Sequence, residues 1–177
     1  MKARKGGKGR MGRNGAKAWA LTRTAVFTVI VPGTVAGYVP YLLTRGSPGQ
    51  PLPLAIWCAA LPFFAIGLWL YLSCAWRFAI DGLGTPAPID PPRTLVVRGP
   101  YRITRNPMYV AVLSVIAGEA LLARSTTVAA YGGAVFVCFF LFVVLYEEPV
   151  LGATFGDAYD AYRGAVPRWI PSSNLWR

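Results

Sequence analysis

The chain has 177 residues, a formal net charge of +11, 55% hydrophobic residues and only 14% charged ones. A soluble domain carries about 25% charged residues, so this composition excludes an ordinary water-facing exterior. There is no histidine, which removes His-based triads, imidazole bases and most zinc chemistry and leaves no expected metal site.

Residues 1–18 are rich in Gly, Lys and Arg and contain no acidic residue. Such a segment cannot bury a core and is expected to be a disordered basic arm. It is either a grip on anionic lipid headgroups, at about 1 kcal/mol per basic residue near the surface, or only a determinant of topology. It has no interleaved aromatics and no attached folded reader, so no nucleic-acid partner is expected. Residues 19–177 are expected to form one membrane domain.

Four apolar runs follow, at about 24–43, 54–76, 108–122 and 128–146. A spanning helix needs roughly 20 apolar residues, and the first, second and fourth runs approach that length. The first is longer than the roughly 7–15 residue core of a secretory signal and lacks a small-residue cleavage site, so it reads as a retained helix. Pro32 and Gly33 fall inside the first run and Pro62 inside the second. Neighbouring helices in a membrane tolerate such kinks. Thr44 to Pro53, with two glycines and three prolines, reads as a short connector. The third run is short and interrupted by Glu119. It either tilts or forms a tight hairpin with the fourth, and Glu119 is expected to pair with Arg124 or a backbone group. Cys58, Cys74 and Cys138 lie inside apolar runs, where free thiols act as small hydrophobes. The fold class is therefore all-α: a polytopic membrane protein of four or five transmembrane helices.

Sixteen of the eighteen Lys and Arg residues flank the first run on its N-terminal side, join the second to the third, or follow the fourth. The positive-inside rule then puts both termini on the cytoplasmic side of an inner or plasma membrane. The connection from Arg77 to Pro107 contains Gly82-x-Gly84, a proline-rich stretch and the β-branched run Thr94–Val97. That run is either a strand or an extended lead-in. Asn106-Pro107 reads as a helix start, with Asn as cap and Pro at the first helical position, which puts Tyr109 in the first turn. After the fourth run come Glu147-Glu148-Pro149 and then Val150 to Arg163. There Leu151, Phe155, Tyr159 and Tyr162 recur on one helical face. This predicts a short amphipathic helix that lies along the interface or packs its aromatics on the spans. Trp169 is placed to anchor at headgroup level.

Chemistry concentrates in two clusters, Gly99-Pro100-Tyr101 through Tyr109 and the pair Glu147-Glu148. The 37 residues between them carry only two charges, Glu119 and Arg124. A helical hairpin of that length returns both clusters to one membrane face, where charge often marks a site. Two adjacent carboxylates at a helix C-terminus would repel each other and oppose the macrodipole. Pairing with Arg102, Arg105, Arg163 or Arg168 would offset that cost. The turn from Gly99 to Pro107 offers backbone amides at a helix N-terminus, suited to an anionic ligand group, and Arg105 adds a fork for a carboxylate.

The stretches GTPAPIDPP, LVVRGPYRITRNPMYV, GEALL and EEPVLGATFGDAYDAYRGAVPRWIP occur in this order. Together they closely resemble the integral-membrane methyltransferase superfamily, which includes isoprenylcysteine carboxyl methyltransferases and phospholipid N-methyltransferases. The resemblance covers about residues 82–171, the expected cofactor-binding half. It implies an enzyme that uses S-adenosylmethionine at a cytoplasm-facing site, with Gly99, Pro100, Tyr101, Arg105, Asn106, Pro107, Tyr109, Glu147 and Glu148 at the cofactor. Where the family often has RHPxY, this chain has Asn106 in place of the histidine, which argues against a mechanism needing imidazole there.

A sulfonium methyl donor has an activated leaving group, so a carboxylate acceptor needs alignment and desolvation but no base. Glu147 or Glu148 is suited to the donor's ammonium or ribose hydroxyls, and Arg163 or Arg168 to an acceptor carboxylate. Arg105, Glu147, Glu148, Arg163 and Arg168 are thus the catalytic candidates, and Tyr159, Tyr162 and Trp169 the candidates for contact with a lipophilic acceptor. The expected reaction is isoprenylcysteine-type carboxyl O-methylation. The alternatives are N-methylation of a phospholipid amine, where a glutamate would take the proton, and a non-enzymatic transporter or accessory role. Transporters usually place their sites near the midplane, whereas here the charges sit at the edge.

Overall fold

A computed structural model describes residues 22, 25–46, 51–77 and 94–170. The basic arm, Gly82-x-Gly84, the proline-rich stretch after it and most of the Thr44–Pro53 connector's tip lie outside the described residues. Helices α1 (Ala25–Thr44), α2 (Leu54–Arg77) and α4 (Thr126–Phe155) are long and apolar enough to cross a membrane. Between them, α3 (Pro107–Ala123) has 17 residues. Its rise is about 25 Å, short of the ~30 Å hydrocarbon core. A final helix, α5 (Asp157–Ala165), follows α4. Among the described residues there is no strand and no fifth span.

The apolar side chains face outward. Val29 is 73% exposed, Leu54 77% and Leu145 71%. Water would penalise such a surface, whereas hydrocarbon does not. The chain is an integral membrane protein on this ground. The inner packing instead uses small residues. On α2 the buried positions are Ala60, Gly67, Leu70 and Cys74, one face of the helix. A Cβ on Gly67 would come within 2.8 Å of Val115 Cγ2 and 2.9 Å of the Ala111 carbonyl, and one on Gly118 within 2.9 Å of the Phe64 ring. Two glycines thus let α2 and α3 approach closely, as apolar helices must when no hydrophobic drive joins them.

Pro32 and Gly33 lead into a π turn, Thr34–Tyr38, inside α1. The Tyr131 hydroxyl donates to the Val35 carbonyl at 2.8 Å and ties this irregular turn to α4. The third run does form a tight hairpin with the fourth. Arg124 takes a left-handed conformation (φ 49°), and the Ser125 hydroxyl accepts from the Val128 amide at 3.3 Å to start α4. Val112 and Ile116 of α3 pack there on Val128 and Val135 of α4. Among the described residues, Glu119 Oε2 is buried with no hydrogen-bond partner.

Two expectations about the chain after the fourth run need correction. Glu147 and Glu148 do not end a helix, because α4 continues through them to Phe155. Val143–Glu147 is a π turn in which the Glu148 amide reaches the Val143 carbonyl. The ladder is already reset there, so Pro149, which has no amide to donate, is accommodated. The macrodipole argument against the pair therefore does not apply. Val150 to Arg163 is also not one helix. Gly156 breaks it with φ 52° and ψ −131°, a conformation nearly restricted to glycine. Even so, Leu151 and Phe155 pack on the same buried cluster as Tyr159 and Tyr162. The aromatic face packs inward, against Leu95 and Val97 of the extended lead-in.

Candidate functional site

The hairpin returns residues 104–109 and 147–148 to one end of the molecule, where α5 and the segment after it close over them. Three consecutive residues, Thr104 to Asn106, staple the chain before α3 to the chain after α5. The Arg105 amide donates to the Pro167 carbonyl at 2.9 Å. The Thr104 hydroxyl lies 3.0 Å from the Arg168 carbonyl and 3.2 Å from that of Trp169. The Asn106 side-chain amide donates to the Arg168 carbonyl at 3.0 Å. Asn106 thus occupies the cap position without capping, since its side chain serves the staple and makes no bond to the helix. Among the described residues, no side chain caps the first turn of α3.

Glu148 sits between two arginines. Arg168 grips it with both ends of its fork, Nε to Oε1 at 2.7 Å and Nη2 to Oε2 at 2.8 Å. Arg105 Nη1 reaches Oε1 at 2.9 Å, and the Arg105 and Glu148 side chains are only 10% and 11% exposed. The bond to Glu148 strengthens the proton's hold on Arg168 and raises its pKa. Glu147 is placed differently. Its Oε1 accepts from the Tyr109 hydroxyl at 2.7 Å, and among the described residues no cation pairs with it. Of two adjacent carboxylates, one is compensated twice and the other only by a phenol. Among the described residues, two buried donors near them have no partner, Arg105 Nε and Trp169 Nε1.

Aromatic rings wall the cluster. Tyr109 lies 4.6 Å from Phe139 between centroids, and Trp169 lies 5.3 Å from Phe136. The Arg168 guanidinium is 5.8 Å from the Phe140 ring centre. The Tyr162 hydroxyl donates to the Tyr101 carbonyl at 2.7 Å. Burial raises the pKa of Tyr101, Tyr159 and Tyr162, so these phenols stay neutral, and the Tyr159 hydroxyl accepts from Arg105 Nη1 at 3.4 Å.

Of the residues singled out from the sequence, Arg105, Asn106, Pro107, Tyr109, Glu147, Glu148, Arg168 and Trp169 come together. Tyr159 and Tyr162 lie beneath them, 2% and 3% exposed, as core rather than surface. Arg163 makes its ion pair with Asp160, at 3.1 Å on the exposed side of α5, and reaches Glu148 only through its charge, without a direct contact. Gly99 and Pro100 line an open groove against α2. Thr104 was not anticipated, although it is 1% exposed and holds the staple. Phe136, Phe139 and Phe140 were also missed, because nothing in an apolar run separates a site wall from a lipid face.

The family described as phospholipid methyltransferase matches residues 55–158, more than half of the chain. That span holds Arg105, Tyr109, Glu147 and Glu148, and ends before Arg168. Over 83 residues the chain is also 31% identical to the nickel-cobalt-cadmium resistance protein NccN of Alcaligenes xylosoxydans xylosoxydans. The match covers 47% of this chain and 38% of that protein. Among the described residues, no group of three or more His, Cys, Asp or Glu is placed to hold a metal ion.

Proposed function

This chain belongs to the phospholipid methyltransferase family, and on that premise we propose that it transfers a methyl group from S-adenosylmethionine to a lipophilic acceptor drawn from the bilayer. The observation that carries this reading is Glu147, a carboxylate at the membrane edge without a cationic partner among the described residues. A half-buried carboxylate left so is costly, and a cationic ligand removes the cost.

The residues suit the donor. Glu147 holds its ammonium or ribose hydroxyls, while the unused Nε of Arg105 and the uncapped amides of α3 hold its carboxylate. When bound, S-adenosylmethionine supplies a methyl group on a positively charged sulfur, an already activated leaving group. Glu148 fixes the two arginines. The staple and the rings of Tyr109, Phe136 and Trp169 exclude water from the reacting atoms.

The acceptor is a carboxylate of the isoprenylcysteine type. With Glu147 committed to the donor, and no histidine in the chain, the cluster has no spare base. A carboxylate needs none. Arg168, at 32% side-chain exposure the more open of the two arginines, orients it. N-methylation of a phospholipid amine is the second reading, favoured by the family's description and by Glu147 as a proton acceptor. Both termini lie on the cytoplasmic side of an inner or plasma membrane.

Binding of S-adenosylhomocysteine to the detergent-purified protein, followed by calorimetry, tests the donor site. Saturable one-to-one binding is expected, and a folded protein that binds nothing refutes the reading. Membranes given methyl-labelled donor then separate the acceptors. A methyl ester releases its label as volatile methanol in alkali, whereas an N-methyl phospholipid keeps it.

A further inference from the structure

A groove of about 630 Å³ lies between the C-terminal end of α2 and the turn Gly99–Arg102. That is the size of many small-ligand sites, roughly 300–1,000 Å³. None of the site residues Arg105, Tyr109, Glu147, Glu148 or Arg168 lines it. Its α2 wall is Trp69, Leu72, Ser73, Trp76 and Arg77, spaced i, i+3, i+4, i+7 and i+8, so they form one stripe. Trp69, Leu72 and Trp76 are 60%, 57% and 58% exposed, within a 24-residue apolar span. The groove therefore opens to hydrocarbon at its Trp69 end.

Polarity changes along the stripe. Ser73 and Arg77 stand one turn apart where the span ends, and Arg77 is its last residue. The turn is shaped to receive Arg77. Gly99 has φ +62°, and a Cβ there would lie 3.1 Å from Arg77 Nε and 3.5 Å from its Cγ. Only a glycine lets the arginine stem lie flat across the turn at that φ. Trp69 and Leu72, then the Trp76 indole, then the Arg77 cation follow one another along the helix, in the order of acyl chain, interface and phosphate in a lipid.

We propose that this groove binds one bilayer phospholipid, with its phosphate at Arg77 and an acyl chain along Trp69, Leu72 and Trp76. The site is separate from the methyl-transfer cluster and does not rest on the choice of acceptor. It would also brace that cluster. Pro100 lines the groove, and the next residue, Tyr101, receives the Tyr162 hydroxyl from α5.

Two measurements on the full chain test this. A phosphatidylglycerol carrying a photoactivatable acyl chain is crosslinked in vesicles, and the labelled peptides are mapped. Native mass spectrometry then counts the phospholipids kept by protein released from mild detergent. Label on the Trp69–Arg77 peptide and one retained lipid are expected. Retention should weaken roughly fivefold in Arg77→Gln, the loss of one basic contact to a lipid phosphate, and recover in Arg77→Lys. Trp76→Ala, at an exposed position, gives a second variant should Arg77→Gln fail to fold. Label confined to other peptides, unchanged retention in both variants, or a dimer crosslinked through Trp76 in place of bound lipid would each overturn the proposal. Wild-type protein that keeps its lipid yet binds no S-adenosylhomocysteine would overturn the methyltransferase reading and leave this one standing.

Discussion

Glu147→Gln and Glu148→Gln should separate ligand binding from scaffold. Glutamine at 148 keeps one acceptor oxygen but turns an amide toward Arg168 Nη2, so donor meets donor where a 2.8 Å bond stood. It also leaves Arg105, 10% exposed, without a counter-charge. Breaking a buried pair in this way costs about 3–5 kcal/mol. The thermal midpoint should fall clearly, and S-adenosylhomocysteine affinity with it. Glutamine at 147 keeps an oxygen for the Tyr109 hydroxyl, which sits at 2.7 Å, and removes only the charge. A hydrogen bond to a charged group is worth about 1.5–3 kcal/mol, or roughly 10- to 100-fold in affinity. Calorimetry beside a thermal melt in the same detergent reads both effects. Wild-type affinity in Glu147→Gln, or equal loss of melting temperature in the two variants, would refute the division of labour.

Tyr109→Phe removes the hydroxyl bond to Glu147 but keeps the ring packed on Phe139 at 4.6 Å. It should weaken S-adenosylhomocysteine binding severalfold with little change in melting, both measured as above. Gly156→Ala forces φ 52° and ψ −131° on an L-residue. It should cost about 1–3 kcal/mol, seen as a lower melting temperature and weaker ligand binding as α5 shifts. Gly67→Val drives a branched side chain into Val115 and the Ala111 carbonyl, where a Cβ alone would already stand within 2.9 Å of both. It should cost about 1–3 kcal/mol or more, read as loss of monodisperse protein on size exclusion.

The spans and the hairpin were legible because each depends on one quantity, the length of an apolar run. The continuation of α4 through Glu147 and Glu148 was not. Pro149 reads as a stop signal in any local scan, and only a π turn upstream reconciles it with a helix. Nor was the break at Gly156, since Leu151, Phe155, Tyr159 and Tyr162 keep helical spacing across it. They share a cluster because two short helices fold onto it, not because one helix carries them. Asn106 misled for a similar reason: its type and position are those of a cap, but a carbonyl 62 residues away takes its amide. Spacing alone cannot report a partner so distant in the chain.

The same distance explains how the site is assembled. Glu148 draws its two arginines from opposite ends of the cluster's sequence, Arg105 before α3 and Arg168 after α5. Thr104 and Asn106 lock the second strand of chain onto the first by backbone carbonyls. Side chains could therefore change at 167 and 169 without loosening the staple, whereas Arg168 could not. A truncation just before Pro167 would remove Arg168 and every carbonyl of the staple, yet leave the four membrane-embedded helices intact. Such a protein should insert into membranes and fail to bind the donor. A truncated chain that still binds S-adenosylhomocysteine would place the donor site within α3 and α4 alone.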